Sequence, residues 1–373
     1  MKLSTRCVQL GRGDDTHGAI VPPIYQTATF EQPSATEFGE YDYTRSGNPT
    51  RTLLEEQLAD LEDARHACAF ASGMAALTAL TRIVKPGEEI IAGDDLYGGT
   101  VRLLDRIASH QNISVRYVDT TDATQLRNVM TNRTRLILIE TPSNPLFRIS
   151  DISEVAALAK QAGAHLAVDN SMLSPVLQQP LNLGADVVVH SATKFLCGHS
   201  DVTAGALITN DPALHKQFAF QQNAEGAGLS PFESWLLLRG LKTLALRVER
   251  QNDSARNIAR FLKTRSEITQ VFYPGLGAVI SFTTGDEKLS AAIVETTRLF
   301  KVAVSFGSVG STISLPCRMS HASIPAALRD RLAPPSDLVR ISVGIEDVDD
   351  LIVDLERAFT ISTHEGELAE TYH

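Results

Sequence analysis

Short apolar runs alternate with longer amphipathic stretches between residues 50 and 210 of the chain. The apolar runs have the length and the β-branched residues of strands, and they predict strands at 89–92, 113–118, 135–139, 164–168, 186–190 and 206–209. Between them apolar residues recur at helical spacing, as at 53–61 and 152–161, where Gly163 is placed to end the second helix. Strands that alternate with helices are typical of a doubly wound, mostly parallel sheet, so the pattern predicts an α/β fold.

The pattern also divides the chain into three parts. Residues 1–50 have weak periodicity and the pair Pro22-Pro23, which predicts an extended N-terminal arm that needs a surface to lie against. Residues 51–240 carry the predicted sheet and form a large domain. Residues 241–373 are expected to form a smaller α+β domain. A long helix predicted at 232–262 crosses the boundary into this part. It is followed by predicted strands at 278–282 and 338–343 and by a predicted helix at 348–359.

Composition and charge exclude several classes of protein. The chain has 373 residues with 34 Lys and Arg against 44 Asp and Glu, and a net charge of −10 argues against a nucleic-acid partner or an anionic membrane surface. The apolar runs are too short to cross a bilayer, and the first residues lack the apolar segment of a secretory signal, so we expect a cytoplasmic protein. The four cysteines have no metal-ligand spacing, which predicts reduced thiols and no metal site.

The first candidate catalytic residue is Lys194, in the segment His190-Ser191-Ala192-Thr193-Lys194 just after a predicted central strand. Ligands of open α/β sheets bind at the carboxyl ends of strands, and partial burial there lowers the pKa of a lysine and favours the neutral, nucleophilic amine. By itself such a short motif is more typical of a surface lysine.

Asp169 ends another predicted strand and is a candidate partner for a cofactor on Lys194. If pyridoxal 5'-phosphate (PLP) is bound there, its ring nitrogen needs a carboxylate to stay protonated, because the protonated ring withdraws electrons. The alternative is an aspartate that caps the following turn.

A phosphate site is predicted at Ser72-Gly73-Met74, where a strand turns into a helix whose first N–H groups are free to hold an anion. Gly73 allows close approach, and Ser191 and Thr193 add hydroxyl donors from the other side. The alternative is an ordinary strand-to-helix turn.

Two further residues complete the candidate site. Tyr97 follows a predicted strand and is placed to stack on a planar ring, although a tyrosine before two glycines is also common in loops. Arg340 interrupts an apolar strand, where an unpaired charge is costly; the carboxylate of an amino-acid substrate or an internal salt bridge would pair it.

Together these segments resemble the trans-sulfuration family of PLP enzymes, which have the aspartate-aminotransferase fold, called fold type I. The resemblance runs from about residue 18 to residue 359. It is carried by the segments YDYTRSGNPT at 41–50, SGMAA at 72–76, ETPSNP at 140–145, VDN at 168–170, SATK at 191–194 and GHSD at 198–201.

The resemblance implies a role for each motif residue. Lys194 would hold PLP, Asp169 would pair with its ring nitrogen, and Tyr97 would stack on the ring and assist proton transfer. The other implied cofactor contacts are Asn144 near the phenolic oxygen, Gly73, Met74, Ser191 and Thr193 at the phosphate, and Tyr43 and Arg45 reaching the phosphate from a neighbouring subunit. Ser305 and Arg340 would bind the substrate carboxylate. The family also implies a homotetramer, a dimer of dimers with shared active sites.

Within the family, residues 222–232 and 304–309 are most similar to cystathionine β-lyases of the plant type. The γ-lyases often have an acidic residue before the carboxylate-binding serine, whereas this chain has Val304. The expected reaction is therefore β-elimination of L-cystathionine to homocysteine, pyruvate and ammonia. The alternatives are γ-replacement on activated homoserine, a γ-lyase reaction, and a catalytically silent PLP-fold binding protein.

One segment departs from the family. Relatives have about fifteen to twenty more residues after Leu276, a length typical of a loop or of a helix with its connections, whereas Gly277 follows here at once. The alternatives are a shortened small domain and a loop left out of the sequence.

Overall fold

Two β-sheets organise the computed structural model, which describes residues 1–9, 17–322 and 324–371, with side chains up to residue 363. The larger sheet has seven strands in the order β1-β7-β6-β5-β4-β2-β3. These are β1 (His66–Phe70), β2 (Glu89–Gly93), β3 (Ser114–Val118), β4 (Thr134–Glu140), β5 (His165–Asp169), β6 (Val187–His190) and β7 (Gly205–Thr209). The six predicted strands are confirmed to within one residue at each end.

Strands β2 to β6 are parallel, and β7 runs antiparallel between β6 and β1. Helices cover both faces, as the doubly wound pattern predicts. They are α1 (Leu3–Val8), α2 (Pro49–Leu61), α3 (Gly73–Thr81), α4 (Gly98–Gln111), α5 (Ala123–Val129), α6 (Ile152–Ala162), α7 (Ser174–Leu177), a 3₁₀ turn (Pro180–Leu183), α8 (Pro212–Ala224), α9 (Pro231–Leu241) and α10 (Leu244–Leu262). Gly163 ends α6 with φ of 67°, as predicted.

The smaller sheet has five strands in the order β10-β11-β12-β9-β8. Its strands and helices are β8 (Gln270–Phe272), β9 (Val279–Thr283), α11 (Glu287–Thr296), β10 (Lys301–Val302), β11 (Thr312–Ser314), α12 (Ala326–Leu332), β12 (Val339–Ser342) and α13 (Val348–Thr371). The predicted α+β mixture is thus observed. The sequence passes from β8 to β9 at the position of the family's extra segment, and the two strands pair directly as an antiparallel hairpin. The amide of Gly277 in this connection donates to Asn252 Oδ1 at 2.9 Å.

The single long helix predicted at 232–262 is wrong, because the chain breaks between α9 and α10. Gly240 lies against the carbonyl of Cys197, where a Cβ atom would approach the oxygen to 2.4 Å. The guanidinium of buried Arg247 donates to the carbonyls of Gly240 (2.9 Å) and Phe195 (2.8 Å). This contact replaces helical hydrogen bonding at the break and anchors the backbone just after Lys194.

Residues 18–47 of the N-terminal arm form no helix and fold back on themselves at an antiparallel bridge between Thr29 and Tyr43. Residues 3–8 form α1, with Cys7 buried in the core, and residues 10–16 of the predicted arm lie outside the described residues. The indole N–H of Trp235 donates to the carbonyl of Pro22 at 3.0 Å, which ties the arm to α9. Ile20 is 95% exposed and Phe38 is 71% exposed. Such apolar exposure on an extended segment is typical of a surface that another chain covers.

None of the helices in the described residues is long and apolar enough to cross a membrane.

Candidate active site

A cavity of about 430 Å³ opens where the carboxyl ends of the parallel strands face the smaller sheet. Its size is in the range of small-molecule sites. Its walls include ten of the twelve residues that the sequence singled out: Gly73, Met74, Tyr97, Asn144, Asp169, Ser191, Thr193, Lys194, Ser305 and Arg340. These residues are far apart in the sequence, and the crossover topology brings them to one edge of the sheet.

Lys194 lies on the turn after β6 and points into the cavity. Its ammonium Nζ donates to Ser305 Oγ at 2.6 Å and lies 4.8 Å from the centre of the Phe306 ring. Burial lowers the pKa of Lys194 to about 8, and the positive charge of Arg340 acts in the same direction. A lysine with this pKa has a substantial neutral fraction near neutral pH, so it can act as a nucleophile and as a base.

Asp169 is the last residue of β5 and lies beside the last residue of β4 in the sheet register. Its carboxylate accepts the amide N–H of Ser171 at 3.0 Å. Burial raises the pKa of Asp169, whereas the Ser171 hydrogen bonds and the charges of His190 and Lys194 oppose that rise. The cap role considered for this aspartate is therefore present, and the same carboxyl also faces the cavity.

The phosphate cradle is built by the start of α3 against the turn after β6. Ser72 caps α3 by accepting the amide of Ala75 at 3.1 Å. A Cβ on Gly73 would lie 2.9 Å from Cβ of Ser191, so the two segments meet so closely that a larger residue than glycine does not fit. The free N–H groups at the start of this nine-residue helix and two nearby hydroxyls suit an anion.

Tyr97 precedes α4, and its ring is 39% exposed at the cavity. Its backbone N–H donates to Glu140 Oε2 at 3.1 Å. The ring of His321 meets the Tyr97 ring edge-on at 6.4 Å between centres. Burial lowers the pKa of His321 to about 4, so this imidazole is neutral.

Arg340 is buried on β12 and donates to Asn144 Oδ1 at 2.8 Å and to the Ser305 carbonyl at 3.4 Å. Within the described residues its guanidinium has no carboxylate at ion-pair distance, so the internal salt bridge considered from the sequence is not formed. Burial lowers the pKa of Arg340 to about 10. A buried cation that has an amide as partner is a ready site for a substrate carboxylate.

Ser305 has a left-handed backbone with φ of 86°, a conformation that is unfavourable for a residue with a side chain. This conformation lets its hydroxyl meet Lys194 while its carbonyl meets Arg340. Strained residues of this kind cluster at binding sites, where the surrounding structure holds them.

Tyr43 and Arg45 do not line the cavity of their own chain. Both are exposed on the N-terminal arm, where Arg45 donates to the carbonyl and the side-chain oxygen of Asn223 at 3.0 and 3.1 Å. The Arg45 guanidinium also lies 5.6 Å from the centre of the Tyr43 ring.

Sequence reasoning missed two residues at this site, Glu140 and His321. Glu140 ends β4 just as Asp169 ends β5, so its place after an apolar strand was a signal that could have been used. His321 has no comparable signal, because its loop is brought to Tyr97 by the tertiary fold.

The donor set fits pyridoxal 5'-phosphate. Lys194 is a buried amine with a lowered pKa, Asp169 offers a carboxyl group at the cavity for the ring nitrogen, and the start of α3 suits the phosphate. These groups line one cavity, so a single phosphorylated cofactor could contact all of them.

Comparison with known proteins gives a consistent result. The chain matches the family described as Cys/Met metabolism PLP-dependent enzyme over residues 4–360. It is 52% identical to the chloroplastic cystathionine beta-lyase of Arabidopsis thaliana, covering 96% of this chain and 80% of that protein. It is 43% identical to the cystathionine gamma-lyase of Dictyostelium discoideum, covering 96% of this chain and 97% of that protein.

Among solved structures, cystathionine gamma synthase from Xanthomonas oryzae pv. oryzae in complex with cystathionine superposes with a TM-score of 0.95 at 38% identity, covering 98% of this chain and 99% of that chain. The expected fold, cofactor and enzymatic nature are thereby confirmed. The chain therefore belongs to the Cys/Met metabolism PLP-dependent enzymes, and it is a PLP-dependent carbon–sulfur lyase.

Proposed function

We propose that the enzyme catalyses β-elimination of L-cystathionine to homocysteine, pyruvate and ammonia. The observation that carries the proposal is Val304, which lines the cavity directly before Ser305 and is 57% exposed. The γ-lyases often have an acidic residue at this position, and the apolar Val304 supplies no such group. The higher identity to a β-lyase (52%) than to a γ-lyase (43%) supports the same choice.

Substrate binding would be directed by Arg340 and Ser305. The α-carboxylate of an amino acid would pair with the buried guanidinium, which offsets the cost of burying that charge. The hydroxyl of Ser305, which now accepts from Lys194, would become available to the carboxylate once the lysine moves.

Proton transfer would be carried out by Lys194. PLP supplies an electron-withdrawing ring when it is bound, and Asp169 would keep the ring nitrogen protonated. The neutral Lys194 amine would remove the Cα proton and then deliver it to the departing sulfur, for which a pKa of about 8 is well matched. Tyr97 would cover the reacting group and assist this transfer.

The test is to supply purified holoenzyme with L-cystathionine and to assay pyruvate and 2-oxobutyrate separately. Pyruvate together with homocysteine is the expected result. 2-Oxobutyrate with cysteine would replace the proposal with γ-elimination. If neither appears but activated homoserine plus cysteine yields cystathionine, the enzyme is a γ-synthase.

We further propose a homotetramer, a dimer of dimers in which Tyr43 and Arg45 complete the phosphate site of a neighbouring subunit. The support is that both residues lie outside their own cavity, on an arm with exposed apolar side chains. The test is to mix the inactive Arg45→Ala and Lys194→Ala chains and to refold them together, so that mixed dimers form. If the sites are shared, half of the randomly formed dimers are mixed, and each mixed dimer has one intact site out of two. The expected activity is therefore about a quarter of that of the wild type. No restoration, or a monomeric mass by light scattering, would contradict the proposal.

A cytoplasmic location is also proposed. All four cysteines are unpaired, and three of them are buried, which suits a reducing compartment. Fractionation of cells that express the tagged chain tests this location, and recovery with an oxidising compartment would overturn it.

A further inference from the structure

Glu140 is a buried carboxyl group in the cavity wall that the proposed reaction does not use. It is 6% exposed and ends β4, while Asp169 ends the neighbouring strand β5, and the two residues are direct partners in the sheet register. Two acidic side chains therefore share one buried edge of the sheet. Neighbouring buried carboxyl groups do not both ionise readily, because each negative charge raises the cost of the other.

The charges around Glu140 decide which of the two takes the proton. Asp169 from β5 and Asp95 from the segment after β2 are like charges, and Arg340 from β12 is the opposing cation. Burial raises the pKa of Glu140 well above its usual range, and Asp169 adds to that rise more than Arg340 offsets it. Lys194 faces both carboxyl groups: its charge lowers the pKa of Asp169, and the charge of an ionised Glu140 raises the pKa of Lys194.

Within the described residues the Glu140 carboxyl has one hydrogen bond, which it accepts from the backbone N–H of Tyr97 at 3.1 Å from N to Oε2. The backbone is also confined from the other side, because a Cβ at Gly98 would lie 2.9 Å from the carbonyl oxygen of Ser320. The turn that holds the Tyr97 ring is thus clamped between Glu140 and the loop of residues 320–321.

We propose that Glu140 is a positioning residue that works as a neutral carboxylic acid: it holds the Tyr97 N–H, and so the ring, while it leaves Asp169 as the carboxylate of this edge. A neutral acid can still accept the amide hydrogen bond through its carbonyl oxygen. The inference does not depend on which sulfur amino acid is the substrate, because it concerns only how the protein binds PLP.

The test compares Glu140→Gln and Glu140→Leu with the wild type, and uses Asp169→Asn as the matched control. Glutamine imitates the protonated acid, so Glu140→Gln is expected to bind PLP to the apoenzyme within about threefold of wild type and to keep the visible circular dichroism of the bound cofactor. Glu140→Leu loses the amide contact, which is expected to weaken PLP binding about tenfold and to alter the dichroism. Asp169→Asn also replaces an acid by its amide, and it is expected to weaken PLP binding and to alter the dichroism.

A pH series gives a second readout that a purely structural role would not move. As pH rises through the raised pKa of Glu140, its ionisation places a second negative charge beside the Asp169 carboxylate, which must pair with the ring nitrogen of PLP. PLP affinity of the wild type is therefore expected to fall more steeply at high pH than that of Glu140→Gln. Lys194, Asp169, Asp95 and Arg340 face residue 140 and are present in both proteins, so the difference between the two pH profiles reports the charge of residue 140 and its effect on these neighbours.

Two outcomes would overturn the inference. If Glu140→Gln is as impaired as Glu140→Leu, the ionised carboxylate is required. If Glu140→Leu binds PLP with wild-type affinity and dichroism, residue 140 does not position Tyr97. Should Glu140→Leu fail to fold, the comparison of Glu140→Gln with wild type and Asp169→Asn still decides.

Discussion

The two walls of the cavity are built in different ways. The large-sheet wall presents side chains at the ends of parallel strands, such as Asp169 after β5 and Lys194 after β6. The small-sheet wall presents Arg340 from inside β12 and Ser305 from a left-handed loop position. The first wall follows from the topology of the large sheet, whereas the second depends on how the small sheet is packed against it.

The two walls therefore differ in their expected roles, one in the chemical step and the other in the choice of substrate. The strand-end groups suit cofactor binding and proton transfer, which are common to the family. Arg340, Ser305 and Val304 line the small-sheet side of the cavity, where the proposed function places the substrate. Substitutions on the large-sheet wall are therefore expected to affect the chemical step, and those on the small-sheet wall are expected to affect binding and stability.

The largest effect is expected from Lys194→Ala. Removing the amine deletes both the attachment of the cofactor and the base, so turnover should fall at least about a thousandfold. Pyruvate release and the visible absorption of bound PLP measure this loss. Lys194→Arg should be equally inactive because a guanidinium does not release its proton, whereas Lys216→Ala, at an exposed position of α8, should behave as wild type. Substantial activity in Lys194→Arg would show that another group is the base.

The small-sheet wall is tested by Arg340→Ala and Arg340→Lys. Loss of the guanidinium should raise KM about a hundredfold or more with a smaller change in kcat, because the carboxylate contact is made already in the bound substrate. Lysine keeps the charge but not the paired donors, so it should recover part of the affinity. Steady-state kinetics check both variants, and an unchanged KM in Arg340→Ala would place the carboxylate elsewhere.

The large-sheet wall could be predicted from the sequence to a greater extent than the small-sheet wall. The central strands of the large sheet, such as β2, β4 and β6, were predictable because their apolar runs are buried on both faces, and a polar residue at the end of such a run signals the cavity edge. Lys194, Asp169 and Gly73 follow from this rule with the family motifs. Glu140 obeys the same rule and was overlooked, since its motif was assigned to Asn144.

The remaining features depend on contacts between distant segments. The break between α9 and α10 arises because Gly240 packs on Cys197 and Arg247 reaches the backbone after Lys194. Helical periodicity continues across that break, so local sequence gave no signal for it. Ser305 likewise carries no mark of its left-handed backbone, and the expected roles of Tyr43 and Arg45 stay predictions because they concern a second chain.

The lowered pKa of Lys194 gives a prediction of intermediate size. In the apoenzyme the neutral, reactive fraction of the amine should rise about tenfold per pH unit up to about pH 8 and then level off. Labelling with a small amine-reactive reagent, followed by mass spectrometry, measures this profile. Free N-acetyl-lysine in the same tube should continue to rise towards pH 10. A profile for Lys194 parallel to that of the free compound would contradict the burial of the amine.

The smallest effect is expected at Ser305, where two variants separate backbone strain from the lost hydroxyl. Ser305→Ala and Ser305→Gly both remove the hydrogen bond to Lys194, but glycine also relieves the left-handed φ of 86°. That relief exceeds the extra chain entropy of glycine, so Ser305→Gly should be more stable than Ser305→Ala by about 1 kcal/mol. Urea unfolding of the apoenzymes measures the difference. The control is exposed Ser109 in helix α4, where Ser109→Gly should be less stable than Ser109→Ala because glycine is the poorer helix former. If the glycine variant is the less stable one at Ser305 as well, Ser305 is unstrained.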